Sequence, residues 1–164
     1  MQIVLRNIDA YVIRRCELED LASVIEINIS SLPEHYSDYF FESILKVLPE
    51  SFIVAELKGM IVGYIMCKIE FGFSNFHKLG FVKKGHVVSV AVSEKHRNNG
   101  LGKALIQEAV TGMVYRKINE FYLEVRVSNV RAIKLYEDLG MTIKTRIRGY
   151  YRDNEDANLM VFEL

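Results

Sequence analysis

One turn of the chain combines glycine with basic side chains in a pattern suited to binding an anion. It reads Arg97-Asn98-Asn99-Gly100-Leu101-Gly102 and is followed by Lys103. Glycine allows the backbone to approach a ligand closely, because no Cβ intervenes. The first N–H groups of a helix lack partners within the helix and carry partial positive charge. A helix that begins at this turn could therefore hold a phosphate or pyrophosphate, although an ordinary tight turn would also use these glycines.

Two common nucleotide-binding motifs do not fit this turn. A P-loop requires the spelling G-x-x-x-x-G-K-[ST], which the chain lacks. A dinucleotide fingerprint requires a third small residue at the position that Leu105 occupies, and it lies earlier in its fold. The turn therefore predicts an anion site of another kind.

Neither the cysteines nor the histidines are spaced for a disulfide framework or a metal. The cysteines form no C-x-x-C pair, and the histidines show neither H-x-x-H nor H-E-x-x-H spacing. We therefore expect buried, reduced thiols and no metal. The residues concerned are Cys16, Cys67, His35, His77, His86 and His96.

Length and composition limit the class of protein. A chain of 164 residues, 50% of them hydrophobic and only two of them proline, predicts one folded domain over 1–164, with 1–10 as an extension or an extra strand. The 21 basic and 21 acidic residues cancel, so attraction to nucleic acid requires a local patch. No apolar stretch approaches the roughly 18 residues of a membrane span, and we expect a cytoplasmic protein.

Hydrophobic periodicity predicts a strand and two helices, followed by strands that alternate with helices. The predicted strands are 11–14, 51–57, 60–70, 86–92, 121–127, 142–148 and 158–162, and the predicted helices lie within 18–29, 39–48, 101–113 and 130–139. Residues 71–85 show neither period, so we expect a loop over a site or an irregular continuation of the preceding hairpin.

The strand at 86–92 is expected to lie in the centre of the sheet. Its run of small and β-branched residues is typical of a strand covered on both faces. Strands that are connected by a helix commonly pair in parallel, and a predicted helix follows this strand. The fold class is therefore α/β, with a mixed sheet of about six to seven strands that includes a parallel pair, flanked by about four helices.

Four segments taken together resemble the GNAT acetyltransferases. They are VSVAV at 88–92, the glycine turn with its helix, LEVRVSN at 123–129 and AIKLYEDLG at 132–140. Two more segments, LPEHY at 32–36 and GYYRDNEDA at 149–157, resemble the RimI-like branch of protein amino-terminal acetyltransferases, especially its archaeal members. The resemblance covers about residues 11–164.

The resemblance implies that the protein binds acetyl-CoA. In the family this substrate lies where two parallel strands splay apart, which implies a cleft between the strands that contain Val90 and Leu123. Unpaired backbone groups there can bind the amides of the pantetheine arm. Asn129 would lie beside that arm, and a helix N-cap is its structural alternative. The implied acetyl-CoA residues are Val90, Ala91, Val92, Arg97, Asn98, Asn99, Gly100, Leu101, Gly102, Lys103, Asn129 and Tyr136.

The resemblance also implies the catalytic residues. Glu124 and His86 match positions that hold a water through which the amine loses its proton, and Tyr136 matches the general acid beside the leaving sulfur. Glu34 matches a functional acidic position after the first helix. Each has a structural alternative: an ion pair of Glu124 with Arg126, a strand-end histidine, a core tyrosine and a solvated carboxylate.

Aromatic residues in two loops resemble the walls of a peptide entrance. Tyr36, Tyr150 and Tyr151 would close over the first residues of a chain and hinder a lysine in mid-chain. His35 and Asn154 depart from the usual Asn and Gly of the branch, but Asn tolerates positive φ, so we expect the second turn to survive. The implied substrate-binding residues are Leu32, Glu34, Tyr36, Arg126, Tyr150 and Tyr151.

The leading interpretation is an enzyme that acetylates the α-amines of protein amino termini, including nascent chains at the ribosome. Two alternatives stay open: a GNAT enzyme for lysine, a ribosomal protein or a small amine, and a non-catalytic acyl-CoA-binding regulatory subunit. The resemblance leaves room for an auxiliary subunit and implies no membrane partner. Nucleic acid is expected only as a weak ribosomal contact through Lys83, Lys84, Lys95, His96 and Arg97.

Overall fold

A computed structural model describes residues 1–164 and contains eight strands and four helices. The strands are β1 Val4–Ile8, β2 Tyr11–Arg15, β3 Ile53–Leu57, β4 Met60–Phe73, β5 Phe81–Val92, β6 Glu120–Arg126, β7 Thr142–Ile147 and β8 Ala157–Glu163. The helices are α1 Leu21–Ser31, α2 Asp38–Val47, α3 Leu101–Tyr115 and α4 Val130–Asp138. None of the four helices is both long enough and apolar enough to cross a membrane.

The chain forms two compact units, and β4 and β5 contribute to both. The first unit comprises 1–68 and 88–115, with strand order β1-β2-β3-β4-β5, and the second comprises 69–87 and 116–164, with order β4-β5-β6-β8-β7. The predicted mixed α/β fold with four helices is confirmed. The sheet has eight strands because the first ten residues supply β1 as an extra strand. The single domain over 1–164 stays a prediction.

In the first unit, α1 and α2 each bury one face. Leu21, Val24 and Asn28 of α1 are buried and recur at steps of three and four residues, as an amphipathic helix requires. Phe41 and Ile44 do the same on α2. The buried cluster that they join consists of Cys16, Leu21, Val24, Ile27, Phe41, Ile44, Phe52, Val54, Tyr64, Met66 and Ala91. Both cysteines are free and buried, as the sequence predicts.

Helix α3 lies so close to the turn at Pro49–Ser51 that Gly112 has no room for a side chain. A Cβ on Gly112 would stand 2.2 Å from the carbonyl oxygen of Glu50 and 2.6 Å from the hydroxyl of Ser51. That hydroxyl in turn donates a hydrogen bond to the carbonyl of Ala109, at 3.0 Å. The close contact therefore fixes the helix that follows the glycine turn.

Replacing Gly112 with alanine is expected to lower the free energy of unfolding by about 1–3 kcal/mol. Alanine favours a helix over glycine by about 1 kcal/mol, but overpacking against the backbone of Glu50 outweighs that gain. Thermal unfolding of Gly112→Ala beside the exposed neighbour Thr111→Ala measures the difference. A Gly112→Ala protein that melts at or above the wild-type temperature would contradict the close packing.

In the second unit, β5 and β6 pair in parallel, as predicted for strands that a helix connects. Their paired residues are Lys84 with Glu120, Gly85 with Phe121 and His86 with Tyr122. On its other side β6 pairs along its length with β8, in antiparallel register from Glu120 with Glu163 to Arg126 with Ala157. Strand β6 is therefore central, and its side chains alternate between the two faces of the sheet.

Two details of β4 and β5 differ from what the sequence predicted. The stretch 71–85 is mostly strand, because β4 runs to Phe73 and β5 begins at Phe81, so the continued hairpin is right and the loop over a site is wrong. The expected cover on both faces of β5 is also wrong. Val87, Ser89 and Ala91 are buried, whereas the alternate residues of 86–92 are only half-buried.

Candidate active site

The glycine turn has the backbone shape of an anion-binding loop. Asn98 and Gly100 both have positive φ, at 66° and 75°, and α3 begins immediately after them at Leu101. The Asn99 amide donates to the carbonyls of His96 and Arg97, at 3.0 and 3.2 Å, which stabilises the turn from within. The first N–H groups of α3 have no acceptors inside the helix, so they can donate to a bound anion.

The basic side chains of this turn differ in whether contacts with the rest of the protein hold them in place. Arg97 Nε donates to the carbonyl of Val92 at 3.0 Å, which ties the arginine to the end of β5. His96 contacts the hydroxyl of Tyr11 through Nδ1, at 3.2 Å. Lys103 is exposed on the first turn of α3. Of these three, Lys103 is the side chain best placed to meet a phosphate.

The loop between α1 and α2 is held to the sheet of the first unit by hydrogen bonds. The Tyr36 hydroxyl donates to the carbonyl of Val88 at 3.2 Å. Asn28 is buried, and its amide donates both to the carbonyl of Glu34, at 3.1 Å, and to the hydroxyl of Tyr64, at 3.0 Å. These bonds fix the backbone around Glu34.

His86 and Glu124 form a directly bonded, largely buried pair in the second unit. His86 Nε2 lies 2.6 Å from Glu124 Oε2, and each side chain is 14% exposed. Because an ionised carboxylate only accepts hydrogen bonds, Nε2 carries the proton when Glu124 is charged. The parallel pairing of β5 with β6 explains their meeting, since His86 faces Tyr122 in register and Glu124 follows two residues later on the same side.

Two further residues complete this cluster, and sequence reasoning missed both. The Tyr122 ring stacks on the imidazole of His86, with centroids 4.5 Å apart and planes 4° apart, and its hydroxyl donates to Glu70. Glu70 Oε1 lies 3.8 Å from His86 Nδ1, which is buried without a hydrogen-bond partner. The alternation of Tyr122, Glu124 and Arg126 along β6 was the available signal for Tyr122, whereas nothing in the sequence points to Glu70.

Tyr136 is buried on α4 and remains neutral at physiological pH. Its side chain is 7% exposed, and burial raises the pKa of Tyr136 to about 12. A phenol in this state keeps its proton and can donate it or share it in a hydrogen bond. The sequence predicted Tyr136 either as a general acid or as a core residue. Both roles require a buried side chain, so the observed burial agrees with either one.

Arg126 organises the loop that carries Tyr150 and Tyr151. Its Nη1 lies 2.8 Å from an oxygen of Asp153 and 2.9 Å from one of Glu155, and its guanidinium stacks over the Tyr151 ring at 4.0 Å. A hydrogen bond from the N–H of Glu155 lowers the pKa of Asp153, and one from the hydroxyl of Ser128 lowers the pKa of Glu155; Arg126 lowers both further. Glu124 bonds His86, and Arg126 pairs with these two loop carboxylates.

Two asparagines act as the sequence predicted for their local structure. The Asn129 side chain accepts a hydrogen bond from the N–H of Ala132, at 3.2 Å, and so caps the start of α4. Asn154 has φ of 68° and ends a turn in which its N–H donates to the carbonyl of Tyr151. The turn that usually has glycine therefore survives with asparagine.

The structure distributes the predicted site residues over the two units. The first unit contains Leu32, Glu34, Tyr36, Val90, Ala91, Val92 and the turn residues Arg97 to Lys103. The second contains His86, Glu124, Arg126, Asn129, Tyr136, Tyr150 and Tyr151. Within the second unit His86 meets Glu124, and Tyr151 lies between Arg126 and the perpendicular ring of Tyr150.

Comparison with known proteins identifies the family of this chain. The model of the acetyltransferase (GNAT) family matches residues 21–141. The N-alpha-acetyltransferase of Sulfurisphaera tokodaii is 50% identical over 157 residues, which cover 94% of this chain and 93% of that protein. The chain therefore belongs to the GNAT acetyltransferases and, among them, to the N-alpha-acetyltransferases, which confirms the resemblance seen in the sequence.

Solved structures share the fold over nearly the whole chain. Ard1 from Thermoplasma volcanium has a TM-score of 0.80 at 28% identity, covering 94% of this chain and 98% of that one. A chain of the NatC complex bound to Gag peptide and CoA has a TM-score of 0.83 at 26% identity, with 94% and 98% covered.

Proposed function

We propose that this protein transfers the acetyl group of acetyl-CoA to the α-amine of protein amino termini. The observation that carries the proposal is the buried pair of His86 and Glu124, a proton acceptor of the kind that amine attack on a thioester requires. Relatives named N-alpha-acetyltransferase support it, the first of them 50% identical over 94% of the chain. Acetyl-CoA is the donor, and CoA is the product.

The chemistry requires only modest base catalysis for an α-amine. At pH 7, an α-amine with a pKa near 8 costs about 1 kcal/mol to deprotonate, whereas a lysine near 10.4 costs roughly 4–5 kcal/mol. The amine nitrogen attacks the thioester carbonyl, the C–S bond breaks, and the amine proton leaves to Glu124. His86 orients that carboxylate through its Nε2–H. Tyr136 donates to the departing sulfur.

The glycine turn fits the pyrophosphate of acetyl-CoA. Positive φ at Asn98 and Gly100 turns the backbone so that the amides at the start of α3 point outward, and Lys103 adds a charge. We assign main-chain groups of Val90 and Val92 on β5 to the pantetheine arm. We also assign Asn129 to binding of the pantetheine arm, although its side chain caps the start of α4 as well.

Substrate-binding roles are assigned to residues of each aromatic loop by itself. Tyr36 and Leu32 flank Glu34 in one loop, and Tyr150 and Tyr151 belong to the other. Arg126 acts through Tyr151 by holding its ring. We further infer that the enzyme works in the cytoplasm on nascent or finished chains. Relatives described as NatB and NatC complexes support the inference that it works with an auxiliary subunit.

We also assign Glu70 and Tyr122 as positioning residues for His86. The buried and unpartnered Nδ1 of His86 faces a Glu70 oxygen at 3.8 Å, and Tyr122 holds that carboxylate through its hydroxyl. Burial, with the neighbouring Glu70 carboxylate, raises the pKa of Tyr122, so the hydroxyl remains a donor. Glu70 and Tyr122 therefore hold the orientation of the His86 ring, and His86 in turn holds the Glu124 carboxylate through its Nε2–H.

Replacing Glu70 with glutamine is expected to lower kcat about tenfold and to leave KM for acetyl-CoA unchanged. Tyr122→Phe should have a similar effect, because it releases the same carboxylate. The double variant should be no worse than either single variant, since both act on one interaction. Additive losses, or an effect on melting temperature alone, would contradict a positioning role.

A panel of peptides tests the proposed function. The protein is incubated with acetyl-CoA and peptides that begin with free Ser, Ala or Met-Leu, and with an amino-blocked peptide that contains lysine, and the products are identified by mass spectrometry. Acetylation of the free peptides alone supports the proposal. Acetylation of the blocked peptide would assign the activity to lysine, and no transfer despite acetyl-CoA binding would favour another amine or a binding role.

A further inference from the structure

The hairpin of β4 and β5 ends in an exposed aromatic surface that acetyl transfer does not use. We call it the aromatic face and define it as Phe71, Phe73, Phe81 and Lys83. The three rings are 63%, 78% and 68% exposed. Residues 71 and 73 lie on one side of β4, and 81 and 83 lie on one side of β5, because successive side chains of a strand alternate.

Contacts within the aromatic face show that its members share one side of the hairpin. Phe73 and Phe81 meet edge to face, with centroids 5.8 Å apart and planes at 90°. Lys83 Nζ lies 5.8 Å from the centroid of Phe71. The face is therefore a row of rings with a cation beside it on a sheet surface.

Hydrogen bonds hold the hairpin end in place. Ser74 Oγ and the N–H of Asn75 both donate to the buried carboxylate of Glu120, and His77 Nε2 lies 2.7 Å from Glu163. Exposure of the rings is thus a property of a fixed surface rather than of a frayed end. A fixed aromatic surface loses little conformational entropy when it binds a ligand.

The charge of this segment indicates a polyanionic partner. Residues 71–84 contain no aspartate or glutamate, in a chain whose formal net charge is zero, and Lys83 lies on the aromatic face beside Phe71. Lys84 lies on the other side of the hairpin, with its Nζ 5.1 Å from the centroid of the Tyr122 ring. Exposed rings on a sheet, accompanied by lysines, provide what single-stranded nucleic acids need. Bases stack on the rings, and phosphates pair with the cations.

We propose that the aromatic face binds single-stranded RNA. Bases stack on Phe73 and Phe81, and Lys83 contacts the phosphates. The inference is independent of the acetyl-transfer site, because none of its residues has a role there. Duplex RNA is not the partner, since its bases are already stacked and are not available to the rings.

Fluorescence anisotropy with a fluorescein-labelled single-stranded oligoribonucleotide of about 12 residues tests the proposal, since such sites span about 4–16 nucleotides. The full-length protein should bind with an affinity that falls as salt rises. The double variant Phe73→Leu/Phe81→Leu should bind at least fivefold more weakly, because leucine keeps the surface apolar but removes base stacking. Lys83→Gln should reduce the salt dependence.

Control measurements separate RNA binding by the aromatic face from a loss of fold and from membrane binding. Tyr39→Leu changes an exposed ring on α2 and should leave RNA affinity unchanged. Acetylation of a short peptide should be unchanged in every variant, which shows that the fold is intact. RNA binding that the double leucine variant retains, or no RNA binding at low salt, would overturn the proposal. Binding to phosphatidylserine vesicles in place of RNA, equally by the leucine variant, would assign the face to a membrane and also overturn it.

Discussion

Replacing Glu124 with glutamine is expected to lower kcat/KM for a peptide about hundredfold at pH 7. General base catalysis typically raises the reaction rate 10²–10⁴-fold. Because an α-amine costs little to deprotonate, we expect an effect at the lower end of this range. Glutamine preserves the shape of the side chain and can still accept a hydrogen bond from His86 Nε2. The decrease in kcat/KM therefore reports the contribution of the carboxylate's basicity alone. Steady-state kinetics with acetyl-CoA in excess measure this decrease.

The defect of Glu124→Gln should shrink as the pH rises. The neutral fraction of an amine with a pKa near 8 grows about tenfold between pH 7 and pH 9, and a neutral amine needs less help. The exposed Glu137→Gln on α4 serves as the matched control and should retain wild-type kinetics. A Glu124→Gln enzyme with full activity, or with a loss that is constant across this pH range, would remove Glu124 from the proton path.

Replacing Tyr136 with phenylalanine is expected to lower kcat about 10- to 100-fold. A hydrogen bond to a charged group contributes roughly 1.5–3 kcal/mol, and the thiolate of CoA loses that bond when the hydroxyl is removed. The ring remains, so the packing of α4 and the melting temperature should change little. Single-turnover measurement of acetyl transfer reports the chemical step directly.

The pH dependence distinguishes the Tyr136 variant from the Glu124 variant. Burial raises the pKa of Tyr136 to about 12, so the phenol stays protonated from pH 6 to pH 9. The loss in Tyr136→Phe should therefore be constant over that range. Tyr115→Phe removes an exposed hydroxyl at the end of α3 and should have no effect. A Tyr136→Phe protein that unfolds at lower temperature but keeps its kcat would assign Tyr136 to the core.

Local sequence patterns predicted most of the fold because the elements are strongly periodic. The strand and helix order, the central position of β5 and its parallel pairing with β6 are all confirmed. Residues 71–85 were harder, since glycines and lysines interrupt the alternation that marks a strand. Pairing between β4 and β5 supplies the hydrogen bonds that extend the hairpin there, and such pairing leaves little trace in either strand alone.

The same holds for the candidate site: some of its residues could be predicted from the sequence, and others are defined by contacts that exist only in the folded chain. The meeting of His86 with Glu124 was anticipated from the family resemblance, and the register of β5 and β6 accounts for it. Glu70 was missed because it comes from β4 and reaches His86 only through the folded sheet. The substrate-binding role of Arg126 stays a prediction. Its contacts with Asp153, Glu155 and Tyr151 form across the β7–β8 loop, and no spacing rule in the sequence reveals them.

One measurement tests the central claim most directly. A single peptide that carries both a free α-amine and an internal lysine is incubated with acetyl-CoA and the full-length protein, and fragmentation mass spectrometry locates each acetyl group. The account predicts acetylation at the α-amine alone, at a rate about hundredfold lower for Glu124→Gln at pH 7. Acetylation at the lysine, or equal acetylation at both amines, would contradict an enzyme selective for protein amino termini.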